Sequence, residues 1–165
     1  MSETYVECLV KQKKSGAAQF FKVVLIVLTV IFGLAMFIFG LIPCLLAIAC
    51  GVGAYFLNMV SDLEYEYLYL DKELVVDKVM AKTKRKRVAT YSVDRMEILA
   101  PVKSYHLDSY KNRNAKVLDY SVGEELQPDL RYAMYYEGGI KLLLNPSEEL
   151  VKAIKSVAPR KVFTD

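Results

Sequence analysis

His106 is the only histidine in the 165-residue chain, and it stands beside Tyr105, two positions before Asp108 and four before Tyr110. Imidazole, carboxylate and phenol within one short stretch are the groups that move protons in general acid–base chemistry. A catalytic centre needs further partners at defined spacing, and no HExxH, CxxC or Gly-x-Ser-x-Gly pattern is present. A small membrane enzyme working through residues 105–110 is therefore the weakest of the functional readings; no catalytic residue and no cofactor is assigned. The cysteines, Cys8, Cys44 and Cys50, have no metal-ligand spacing, so no metal is expected. Gly138-Gly139 stands alone between apolar runs, which suits a hairpin turn and not a phosphate loop.

The densest charge lies at Lys82, Lys84, Arg85, Lys86 and Arg87. Beside an anionic leaflet each such cation is worth about 1 kcal/mol, enough together to orient a small domain. The plain alternative is a solvated turn. Nucleic acid is not an expected partner, because residues 62–165 carry 18 basic against 17 acidic side chains.

The elements that must position these residues divide sharply. From Val23 to Ser61 the chain has no charged residue at all. As one helix those 39 residues would run about 58 Å, against a hydrocarbon core of about 30 Å. Gly40-Leu41-Ile42-Pro43 supplies a break, so the block is expected to fold back as two spans, about 20–39 and 44–60, within a hairpin over 20–61. Lys11, Lys13, Lys14 and Lys22 precede the block, and Lys72, Lys78 and the basic cluster follow it. Cations on both flanks and none in the turn put both termini in the cytoplasm of a multi-pass plasma-membrane protein. Ala47, Cys50, Gly51 and Ala54 repeat at i, i+3, i+4 and i+7, a small-residue face for close helix packing against the neighbouring span or a second copy. From Val23 to Ser61 neither span holds a charged side chain, which suits an anchor and not a transporter.

Beyond a cytoplasmic N-terminal segment (1–19) and the hairpin, residues 62–165 are expected to form one mainly-β domain. Tyr65, Tyr67 and Tyr69 alternate with Glu64 and Glu66, the period of a strand. Further strands follow at 74–80, 87–92, 95–100, 116–122, 130–136 and 140–144, seven in all, with the basic stretch as the turn between the second and third. The first strand leads away from the bilayer and the second returns, which brings that turn to the membrane face. Residues 102–115 have no usable period. Asn145 and Pro146 can open a closing helix whose apolar stripe is Leu150, Val151, Ile154 and Val157.

Seven antiparallel strands in two packed sheets with a C-terminal helix is the element order of a pleckstrin-homology-like domain. The whole chain resembles a family of small bacterial membrane proteins, chiefly of Gram-positive anaerobes. The resemblance is carried by the N-terminal hairpin, Glu64-Tyr65-Glu66-Tyr67, Lys116-Val117-Leu118-Asp119-Tyr120-Ser121-Val122-Gly123 and Ala158-Pro159-Arg160-Lys161-Val162-Phe163. It implies architecture and location, and no chemistry. The basic cluster is similar to the hairpin with which some pleckstrin-homology domains hold phosphoinositides, but it sits in the second hairpin and not the first, so no specific lipid carries over. The leading expectation is a non-enzymatic interaction domain anchored in the lipid bilayer, binding a protein, a peptide or its own copies. The competing expectation is a module that senses anionic lipid through residues 82–87.

Overall fold

A computed structural model describes residues 5–12, 16–123 and 129–165. They divide into a helical unit, which also takes in residues 80–84, and a β-rich unit built from the rest. Lys13 and Lys14, counted among the flanking cations above, lie outside the described residues.

In the helical unit, α1 (Gly16–Phe39) and α2 (Leu41–Ser61) are joined by Gly40 alone. Gly40 takes a φ of 79°, a conformation that favours glycine. Leu41, Ile42 and Pro43 then form the first turn of α2, where a proline needs no N–H partner. The helices run antiparallel: a Cβ on Gly51 would lie 3.7 Å from Thr29 Cγ2, and one on Gly53 3.4 Å from Leu25 Cδ1. Further along, Lys22 Nζ donates to Asn58 Oδ1 at 2.8 Å. No residue of α1 is buried, and Phe37, Ile38 and Leu41 stand almost fully exposed. Both helices are long and apolar enough to cross a membrane.

The β-rich unit has eight strands among the described residues, not seven. The additional one is β1 (Val6–Lys11), which precedes the helices and pairs antiparallel with β2 (Leu63–Leu70) from Val6↔Tyr69 to Lys11↔Glu64. Of the expected N-terminal segment (1–19), Val6–Lys11 therefore belongs to the β-rich unit: Val6 and Val10 enter the core beside Tyr65, Tyr67 and Tyr69. With β3 (Glu73–Met80) and β4 (Lys84–Ser92) these strands form a sheet in the order β1-β2-β3-β4. Asp71 and Lys72 make the tight β2–β3 turn, both at positive φ.

The second sheet has the order β5-β7-β8-β6, from β5 (Met96–Pro101), β6 (Lys116–Asp119), β7 (Tyr132–Tyr136) and β8 (Ile140–Leu144). It is not wholly antiparallel. Since β7 docks beside β5, its hairpin return β8 falls between β7 and β6 and runs parallel to β6. Strand β6 stops at Asp119, three residues short of the expected end, because the Asp119 carboxylate turns back to accept from Ser121 N–H and Oγ. Between β5 and β6 lie a single 3-10 turn (Tyr105–Leu107) and the one-turn α3 (Asp108–Lys111), tied down by buried Leu107 under a small cluster with Ile98, Ala133 and Tyr135.

Helix α4 (Glu148–Val157) packs Leu150, Val151 and Ile154 into the main core. Its cap is Ser147, whose Oγ accepts from Leu150 N–H at 3.2 Å, and not Asn145. Asn145 is used elsewhere: its Oδ1 accepts from Val122 N–H at 2.8 Å. After α4 the chain returns along β5, where Leu99 N–H donates to Lys161 O and Phe163 N–H to Leu99 O. Val162, between them, is 1% exposed.

Candidate functional site

The basic stretch is a short turn followed by a strand. Ala81–Thr83 make the turn, with Ala81 and Lys82 at positive φ, and Lys84, Arg85, Lys86 and Arg87 open β4 as exposed residues on the outermost strand of its sheet. Five cations do not require a loop; two residues in the left-handed region suffice to reverse the chain. Ala81 N–H donates to Asp62 O at 2.9 Å, so the turn is tied to the end of α2.

The cluster divides by partner. Arg85 Nη2 lies 2.9 Å from Glu66 Oε1, and Arg87 Nε 3.6 Å from Asp77 Oδ1. Both carboxylates sit opposite the tyrosine face of the sheet, and both are buried. Burial, then the neighbouring Glu7 carboxyl, push the Glu66 pKa above the usual carboxylate range, and the Arg85 guanidinium opposes them without prevailing. Among the described residues no carboxylate lies within ion-pair distance of Lys82, Lys84 or Lys86. Sequence reasoning missed both: Glu66 alternates with the tyrosines and reads as part of a solvated face, and Asp77 reads as a lone charge interrupting the apolar run of its strand.

Ala47, Cys50, Gly51 and Ala54 lie on one side of α2, half-buried except for Ala54, which is buried, while Leu45, Ile48, Val52 and Tyr55 are exposed. The Thr29 side chain is what Gly51 meets, so within the chain this face packs on α1.

The 105–110 stretch does not bring its proton-moving groups together. The His106 ring lies between Tyr105 and Phe163, with centroids 4.0 and 3.8 Å away, and its Nε2 is 3.6 Å from Asp165 Oδ1. Asp108 turns instead to Lys111 Nζ at 2.5 Å, and the Tyr110 ring meets Tyr135 and carries Arg113 over its face at 4.4 Å. The three cysteines are free thiols; Cys8 Sγ points at Asn145 O from 3.9 Å. Among the described residues no group of three His, Cys, Asp or Glu is placed to hold a metal ion.

The tyrosines close the core with hydrogen bonds. Tyr67 OH donates to Tyr120 O and accepts from Asn145 N–H, while Tyr91 and Tyr120 share a hydroxyl contact at 3.3 Å. Burial pushes the Tyr67 and Tyr91 phenols well above their ordinary range, so both stay neutral. The segment Asp119-Tyr120-Ser121-Val122 is thus held at each residue: by its own Asx turn, by Tyr67 and by Asn145.

Comparison with known proteins gives one result. Residues 2–164 match the family model described as bacterial PH-like domain (DUF6106), which takes in both units. No curated protein matches the chain, and no solved structure does.

Proposed function

The chain belongs to the bacterial PH-like domain family, and from that premise we propose that it is a non-enzymatic, membrane-anchored interaction module. Its β domain is held at the inner leaflet of the plasma membrane and binds a protein, a peptide or a second copy. One observation carries the reading: β1, before the helices, and β2, after them, are paired neighbours in one sheet. Paired strands share a compartment, so the intervening chain must cross a bilayer an even number of times. The helices supply two crossings, of 24 and 21 residues, or about 36 and 31 Å, against a hydrocarbon core of about 30 Å. Lys11 and Lys22 on one flank and Lys72, Lys78 and the basic strand on the other support the cytoplasmic side. A domain tethered by its own helices needs no lipid for recruitment, which favours a protein ligand. The test is fractionation with a reporter after Asp165, followed by crosslinking in native membranes. The expected result is a detergent-dependent protein, a reporter active inside the cell and one recurrent crosslinked neighbour. Recovery from the aqueous fraction without detergent, or crosslinking that captures no recurrent neighbour, would overturn it.

A specific observation favours a second reading, the sensing of anionic lipid through the basic stretch. Lys82, Lys84 and Lys86 are exposed, and the turn that holds Lys82 is bonded to the end of α2. Replacing these three lysines with Gln in the full chain is expected to abolish any response of the β domain to anionic lipid. An unchanged response removes the reading.

A further inference from the structure

Near one end of the helical pair, a cleft of about 330 Å³ is lined by Gln19, Lys22, Val23, Ile26, Asn58 and Ser61. Its chemistry is graded. At one side Lys22 Nζ donates to Asn58 Oδ1 at 2.8 Å, and Ser61 Oγ is buried with no hydrogen-bond partner among the described residues. At the other side Val23 and Ile26 present exposed apolar surface. Lys22 is the last charge before the uncharged block, and Ser61 closes that block one residue before Asp62. The polar side of the cleft therefore lies where charge resumes along both helices, and the apolar side where it is absent.

Lys22 has donors left after its bond to Asn58, and the Asn58 amide nitrogen and the Ser61 hydroxyl add neutral ones. Cationic and neutral donors opening onto branched aliphatic side chains match a phosphate group attached to hydrocarbon. We propose that this cleft binds the headgroup of an anionic phospholipid. Lys22, the Asn58 amide and Ser61 Oγ face the phosphate, and the first acyl carbons run along Val23 and Ile26. Net charge selects the class: a zwitterionic lipid would bring a second cation towards Lys22, whereas phosphatidylglycerol would not. The inference rests on the membrane reading above and goes beyond it, since it names a site in the helices and not in the basic strand.

The experiment uses the full chain in phosphatidylcholine nanodiscs doped with photoreactive phosphatidylglycerol or photoreactive phosphatidylcholine, the adducts being mapped by mass spectrometry. Phosphatidylglycerol adducts are expected to concentrate at 19–26 and 58–61, about fivefold over phosphatidylcholine. Excess unlabelled phosphatidylglycerol should compete them away, and inorganic phosphate at constant ionic strength should not. Lys22→Gln keeps a donor for Asn58 and loses the charge, so it should bring capture down to the phosphatidylcholine level while the chain stays inserted. Substituting Lys82, Lys84 and Lys86 with Gln should leave capture at the cleft unchanged. Equal capture of the two lipids, capture indifferent to Lys22→Gln, or displacement by inorganic phosphate would overturn the site while leaving the anchor intact. Absence of adducts from either lipid anywhere along α1 and α2 would instead overturn the membrane reading itself.

Discussion

Two carboxyl groups of the β-rich unit have opposite dependence on pH, and the sign follows from what each faces. Glu66 is 1% exposed and meets Glu7 from β1, Asp77 from β3 and Arg85 from β4. Burial and the Glu7 carboxyl raise its pKa, so the folded chain holds this proton more tightly than the unfolded chain does. Its contribution to stability is full below the ordinary Glu range and is lost as pH rises through the raised folded value. Glu66→Gln removes the charge yet still accepts from Arg85. The full chain in micelles should therefore melt higher than wild type at about pH 8, with the difference shrinking to nothing as pH falls to about 4. A variant that melts lower at neutral pH would show that the ion pair outweighs the burial. Asp129 behaves the other way. Arg131 grips both its oxygens at 2.9 Å and holds its pKa down, so that contribution is present at neutral pH and is lost as pH falls through the lowered value. Asp129→Asn, which removes one charged partner of the buried Arg131 guanidinium, is expected to cost about 2 kcal/mol in urea unfolding at pH 7. A cost that did not shrink at all as pH falls below the ordinary aspartate range would contradict this account.

At the scale of elements, the sequence was most legible where pattern and partner are local. The β7–β8 hairpin turns at the Gly-Gly pair, where Gly138 and Gly139 take φ of 86° and 72°, and α4 buries Leu150, Val151 and Ile154 of its expected stripe while Val157, in its last turn, is exposed. The basic stretch was found, but its conformation was not, because charge density marks exposure and an outermost strand is exposed too. Strand β1 was missed although Val6, Cys8 and Val10 alternate. Leu9 breaks the alternation on the outer face, and the partner that makes the segment a strand begins more than fifty residues later. The C-terminal motif 158–163 was legible as a signature but not as a device: it covers the edge of β5. Removing Lys161–Asp165 deletes two backbone hydrogen bonds to Leu99, at about 1 kcal/mol each, and the burial of Val162, at about 2 kcal/mol. A loss of about 4 kcal/mol is expected in urea unfolding followed by tyrosine fluorescence, the chain having no tryptophan. A loss below about 1 kcal/mol would make the tail ornamental.

For the whole molecule the decisive feature is a sheet interrupted by a hairpin. A chain that forms β1, leaves it for two apolar helices and returns as β2 closes a loop whose two ends are adjacent strands. Lys11 and Glu64 are the last register pair before the helices, and cross-strand neighbours of this kind have Cβ atoms about 5 Å apart. With Cys8, Cys44 and Cys50 replaced by Ala, the double variant Lys11→Cys, Glu64→Cys should be joined within one chain by a short thiol-specific crosslinker in intact membranes. The joined chain should also resist urea better, since the link removes a large loop from the unfolded ensemble. A link formed between chains and not within one would mean that β1 is exchanged with a second copy. Failure to link at all would separate the two ends of the block and, with them, the even number of crossings on which the anchor depends.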